Sequence, residues 1–142
     1  MNTTKTSVST TTDFQTLYLE VEKWISKLLF YTDELKFLQN LLDRYFTEIL
    51  EHENLDEMRE SIMRLQDLKY RCDKLVIRTK RYRNNLTEAV DNKELISAEN
   101  RLPKHRELHD DIANFSKGLN SVKKEIFFIT ELVLETKKKK VH

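Results

Sequence analysis

The chain has 142 residues, of which 39% are apolar and 35% charged, with one Gly, one Pro and a formal net charge of +1. That length suits one domain with a real core, and the near absence of chain-breakers leaves β-turns without their usual residues, which argues against a sheet protein. A balance so close to neutral gives no global attraction to nucleic acid or to an anionic membrane.

Cys72 is the single cysteine, so no intrachain disulfide can form, and a reducing compartment fits. The opening MNTTKTSVSTTT has no apolar stretch of the kind a signal peptide needs. The longest apolar runs are four residues, such as Ile126 to Ile129, too short to cross a membrane. The expected location is cytoplasmic.

Residues 1–12 hold eight Ser or Thr and almost nothing to bury, which reads as a disordered tail. Thr12 and Gln15 have the spacing of a capping box and predict a first helix from about Asp13 to residue 52. Along it, Phe14, Leu17, Val21, Trp24, Leu28, Tyr31, Leu35, Leu38, Leu42, Tyr45 and Ile49 alternate at three and four residues. Such spacing lays one apolar seam along one side of a helix.

The seam then changes phase. Its next positions would be His52, Asp56 and Arg59, whereas the apolar residues are Leu55, Met58, Ile62 and Leu65. Asn54 is a good N-cap there, and Asp56, Glu57 and Glu60 suit the positive end of a new helix. A tight turn near 52–55 follows, with a continuous helix as its rival, since neither Gly nor Pro enforces the turn. The second helix is expected over 55–90, with Leu65, Leu68, Cys72, Leu75, Thr79, Tyr82, Leu86 and Ala89 as its seam.

Residues 91–102 are expected to contain some helical turn, because a loop of that length without structure is unusual in a compact domain. Pro103 suits a first helical turn and disfavours helical geometry at Leu102. A third helix over about 103–138 then carries Leu108, Ile112, Phe115, Leu119, Val122, Ile126, Ile129 and Val133, followed by a basic tail over 139–142. The fold predicted is all-α, an antiparallel up-down-up bundle of three long helices with coiled-coil-like packing, forming one domain over 13–138.

Charge is segregated along the chain: net −7 over 13–60, +6 over 61–86, −3 over 87–115 and +4 over 116–142. An acidic first helix beside a basic second one would help choose neighbours and orientation. Within the basic region, Arg71, Lys74, Arg78 and Arg81 fall on one helical stripe and are the candidate anion-contacting residues. The plainer expectation is that the acidic first helix takes up part of this charge inside the bundle.

Motifs for chemistry are sparse. The residues three before the four histidines are Ile49, Leu102, Arg106 and Lys139, so the Glu-x-x-His of di-iron bundles is absent. HExxH and cysteine-based zinc spacings are absent as well. His105 and His109 share a helical face, with Glu107 and Asp110 nearby, but any two histidines four apart would do so. Cys72 sits in an apolar seam, where a thiol behaves as a small inert hydrophobe. The lone Gly118 lies inside the third helix, where it is expected to let another helix approach closely. No catalytic, cofactor-binding or metal-binding residue is assigned.

Apolar residues also lie off the seams. Ile25, Leu29, Phe30, Phe37, Leu41 and Phe46 on the first helix, and Phe127, Phe128 and Leu134 on the third, exceed what one buried face needs. Aromatics at heptad spacing on two helices suggest a second contact surface, with Leu29, Phe30, Phe37, Phe127 and Leu134 as its candidates. The function expected is therefore that of a non-enzymatic structural or adaptor protein that works by protein contact and self-associates. The alternative is binding of nucleic acid or phosphate through 69–83.

Overall fold

The computed structural model describes residues 2–91 and 101–141. The chain forms four helices, α1 (Asn2–Arg44), α2 (Phe46–Leu50), α3 (Leu55–Asp91) and α4 (Leu102–Val141). No strand occurs among the described residues. Helix α1 reaches back to Asn2, so the expected tail over 1–12 and a helix start at Asp13 are both corrected. Ser and Thr are only mildly unfavourable in helices, and with no Gly or Pro in that stretch a helix nucleated further on can extend through it.

The single helix expected over 13–52 is interrupted at Tyr45, whose φ of −106° and ψ of 22° lie off helical values. Hydrogen bonding carries on across the break: Tyr45 N–H donates to the Leu41 carbonyl at 3.2 Å, and Ile49 N–H to the Tyr45 carbonyl at 2.9 Å. Residues 51–54 are non-helical, where the seam changes phase. Met58 N–H donates to the Asn54 carbonyl at 3.1 Å, which places Asn54 at the N-cap of α3.

Helix α4 takes in Leu102, one residue earlier than the sequence suggests. Pro103 stays in the first turn, where a missing N–H breaks no intrahelical bond. At its other end α4 continues to Val141, beyond the expected 138, and its closing lysines suit the negative end of the helix dipole. The short helix expected within 91–102 falls at 92–100, outside the described residues.

The residues sort into two compact units. One comprises Met1–Leu29 with Lys74–Ala113, and the other Phe30–Asp73 with Asn114–His142. In the first, Leu17, Val21 and Leu28 of α1, Leu75 and Leu86 of α3, and Leu108 and Ile112 of α4 are buried. In the second, Leu35, Leu38 and Leu42 join Leu65, Leu68 and Cys72 of α3 and Phe115, Leu119 and Ile126 of α4. Every seam position from Leu65 to Ala89 and from Leu108 to Val133 is buried.

Two departures have a packing cause. Ile25, off the seam, is buried, because a helix covered by two neighbours hides a wider stripe than a two-helix seam does. On α3, Ser61 is buried while Ile62 is half-buried. The three-then-four count from Met58 to Leu65 passes through Ser61, and helix geometry prevails over hydrophobicity there.

Gly118 also differs from expectation. A methyl group at this site would stand 3.6 Å from Cδ2 of Leu68, an ordinary van der Waals distance. The packing against α3 therefore leaves room for a side chain. Gly118→Ala is expected to raise stability by about 0.5–1 kcal/mol through helix propensity. Urea unfolding checks this, and a destabilised variant would mean that the space is not there.

Candidate functional site

The first unit contains a polar cluster inside its core. His105 on α4 is only 5% exposed. Its Nε2 lies 2.8 Å from Oε2 of Glu20 on α1, and its Nδ1 lies 3.0 Å from the Tyr82 hydroxyl on α3. An ionised carboxylate can only accept, so Nε2 carries a hydrogen; in the neutral ring Nδ1 then accepts from Tyr82. The indole of Trp24 lies over the imidazole, with ring centroids 4.5 Å apart. The sequence places Tyr82 on the α3 seam and His105 on one helical face with His109, but not their meeting with Glu20, because periodicity does not set the register between helices.

Tyr82, His105 and Glu20 have the connectivity of a nucleophile, a base and an orienting carboxylate. The chemistry does not follow from it. Burial pushes the Tyr82 hydroxyl up to about 12, with the nearby Arg101 guanidinium pulling it partly down. A buried phenol held in its protonated form is a poor nucleophile, and Tyr82 is only 9% exposed. The cluster is better suited to holding helices in register.

His109 shares the helical face of His105 but is exposed, 3.2 Å from the Asp110 carboxylate and 5.9 Å in ring centroids from Trp24. Among the described residues, no three His, Cys, Asp or Glu side chains come together as a metal site. His52 belongs to the second unit. Cys72, also in that unit, is buried with its Sγ 3.5 Å from the Thr32 hydroxyl, and burial pushes its thiol up. A raised, buried thiol is a weak nucleophile.

The basic stripe is divided between the units. Arg71 lies 3.7 Å from Asp67 on its own helix. In the first unit Arg78 lies 2.5 Å from Asp111 and 3.8 Å from Glu107, while Lys74 and Arg81 are exposed. Both partners of Arg78 are on α4, so the first helix takes up only part of the basic stretch. Helix α1 draws instead on Arg83, through Glu22 at 3.3 Å. Ion pairs this exposed contribute at most about 1 kcal/mol each.

The aromatic candidates gain a common setting in the second unit. Lys123 Nζ on α4 lies 3.4 Å from Glu34 Oε2 on α1. Phe30 and Phe37 stand four before and three after Glu34, and Phe127 four after Lys123. Residues three or four apart share a side of a helix, so the ion pair brings these rings to adjoining flanks of α1 and α4. They are 59%, 54% and 39% exposed. Beneath them Tyr31 donates to or accepts from Ser116 at 2.9 Å and packs against Phe115.

The remaining candidates are placed differently. Leu134, seven beyond Phe127, is half-buried. Leu29 is 46% exposed but belongs to the first unit, and a single helical step turns it about 100° from Phe30. Phe128, 60% exposed, is turned about 100° from Phe127 and lines a groove of about 310 Å³ with Asn54 at the N-cap of α3 and with Met58 and Ser61 of that helix. The first unit has an open apolar groove of about 450 Å³ between Phe14, Tyr18 and Leu19 of α1 and Thr87 and Asp91 of α3. The groove beside Phe128 also has Glu57, Lys124 and Glu125 in its lining, whereas the one at Phe14 has few polar groups with which to orient a small molecule.

No described helix is long and apolar enough to cross a membrane. No protein-family model matches the chain, and no curated protein or solved structure does either.

Proposed function

We propose that the chain is a non-enzymatic structural or adaptor module that acts through protein–protein contact and associates with itself. Its architecture in this reading is an up-down-up antiparallel bundle of three long helices, α1 with α2, α3 and α4, packed in the manner of a coiled coil. Residue pairs within the second unit support it. Numbering rises on α1 as it falls on α3 in Thr32–Cys72 and Gln39–Gln66, and rises together along α1–α2 and α4 in Tyr31–Ser116 and Glu48–Lys137. A buried thiol outside any disulfide at Cys72 fits the reducing cytoplasm as its location.

The observation that carries the reading is the exposure of Phe30, Phe37 and Phe127 around the Glu34–Lys123 pair. Covering a Phe side chain is worth roughly 1.5–3 kcal/mol, so several together can offset the entropy lost on association. Size-exclusion chromatography with light scattering should give twice the chain mass, and Phe37→Asp with Phe127→Asp should give a folded monomer. Wild-type chain that stays monomeric at high concentration would refute self-association. Unfolding of the double variant would place these rings in the core instead.

A further inference from the structure

The connection at 51–54 contains neither Gly nor Pro, yet α2 ends there and α3 begins. One residue takes part in most of its hydrogen bonds. His52 N–H donates to the Ile49 carbonyl at 3.2 Å, and the His52 carbonyl accepts from Leu55 N–H at 3.2 Å. Asn54 N–H donates to Nδ1 of the same residue at 3.1 Å, and Nε2 lies 3.2 Å from the Thr136 hydroxyl on α4. A backbone N–H can only donate, so Nδ1 is the acceptor and Nε2 carries the hydrogen. The Thr136 oxygen then accepts from His52 while its own hydrogen goes to the Leu132 carbonyl at 3.0 Å. Each group in this chain of bonds has one consistent role.

We propose that His52 is a clasp that keeps α1 and α3 folded back on each other, and that without it the connection straightens and the hairpin exchanges with a second copy of the chain. The residues from Phe46 to Met58 would be accepted by a continuous helix, because nothing there breaks one. Straightening separates the buried faces of α1 and α3. Leu35, Leu38 and Leu42 would lose their cover, as would Leu65 and Leu68. Only the same faces of another copy match them in length and pattern, so exchange restores the contacts that opening removes. The clasp stands independently of the aromatic face, since it lies at the turn and involves none of Phe30, Phe37 and Phe127.

The test uses the full chain with Cys72→Ala and spin labels at Gln39→Cys and Gln66→Cys, positions whose native side chains are 2.6 Å apart. Labelled chain is refolded with an excess of unlabelled chain, so a short distance reports a closed hairpin within one molecule. Association through the aromatic face leaves that distance short and cannot imitate exchange. With His52 present most labelled chains should show the short distance; His52→Ala should remove it from most of them while helicity is kept. Adding Glu53→Gly to His52→Ala, which penalises a continuous helix, should bring the short distance back. The proposal is overturned if His52→Ala keeps the short distance. It is equally overturned if that variant unfolds and Glu53→Gly does not restore it.

Discussion

Phe115→Ala should lower the stability of the chain by about 3–5 kcal/mol, the usual cost of emptying a fully buried aromatic site. Phe115 is fully buried on α4 and lies 5.8 Å from the Tyr31 ring, centroid to centroid. Folded domains have only about 5–15 kcal/mol in hand, so this one change should move the urea midpoint far down. Phe127→Ala is the control: on the same helix but 39% exposed, it should cost much less in a chain kept dilute. A loss below about 1 kcal/mol for Phe115→Ala would mean that the α4 seam is not the buried face of the second unit.

His105→Ala should cost about 2–4 kcal/mol, for two separate reasons. It removes the ring packed on Trp24, and it leaves the Tyr82 hydroxyl buried without its 3.0 Å partner. Glu20 loses less, because its side chain is 46% exposed and water can replace the imidazole. Tyr82→Phe alone should strand Nδ1 of His105. The double variant should therefore be less destabilised than the two singles added together, with a coupling of about 0.5–3 kcal/mol. Additive losses in urea unfolding would show that the bond from tyrosine to histidine contributes nothing.

The buried faces were legible because a helix repeats its side every three or four residues, and the seam from Leu17 to Ile49 needs only counting. The same counting located the turn, since Leu55 and Met58 are out of phase with Ile49. What it could not give was anything that depends on two helices at once. Glu20 looks like an ordinary flanking residue, and Tyr82 like an ordinary seam residue, until α1 and α3 bring them to His105. Phe30, Phe37 and Phe127 were visible as excess apolar residues, but their shared setting depends on the contact of Glu34 with Lys123. Composition misled at the N-terminus, where Ser and Thr suggested a tail and α1 begins at Asn2. Propensity is a weak influence, and a long neighbouring helix outweighs it.

Trp24 and Cys72 are the only residues of their kinds, and each is buried in a different unit. The chain thus carries two natural probes. Indole emission follows the packing of Trp24 on His105 in the first unit, and the reaction rate of the Cys72 thiol with a soluble reagent follows opening of the second. Melting of each unit can be recorded from one unlabelled sample, and the spacing between the two midpoints measures directly how cooperatively the long helices transmit the loss of structure.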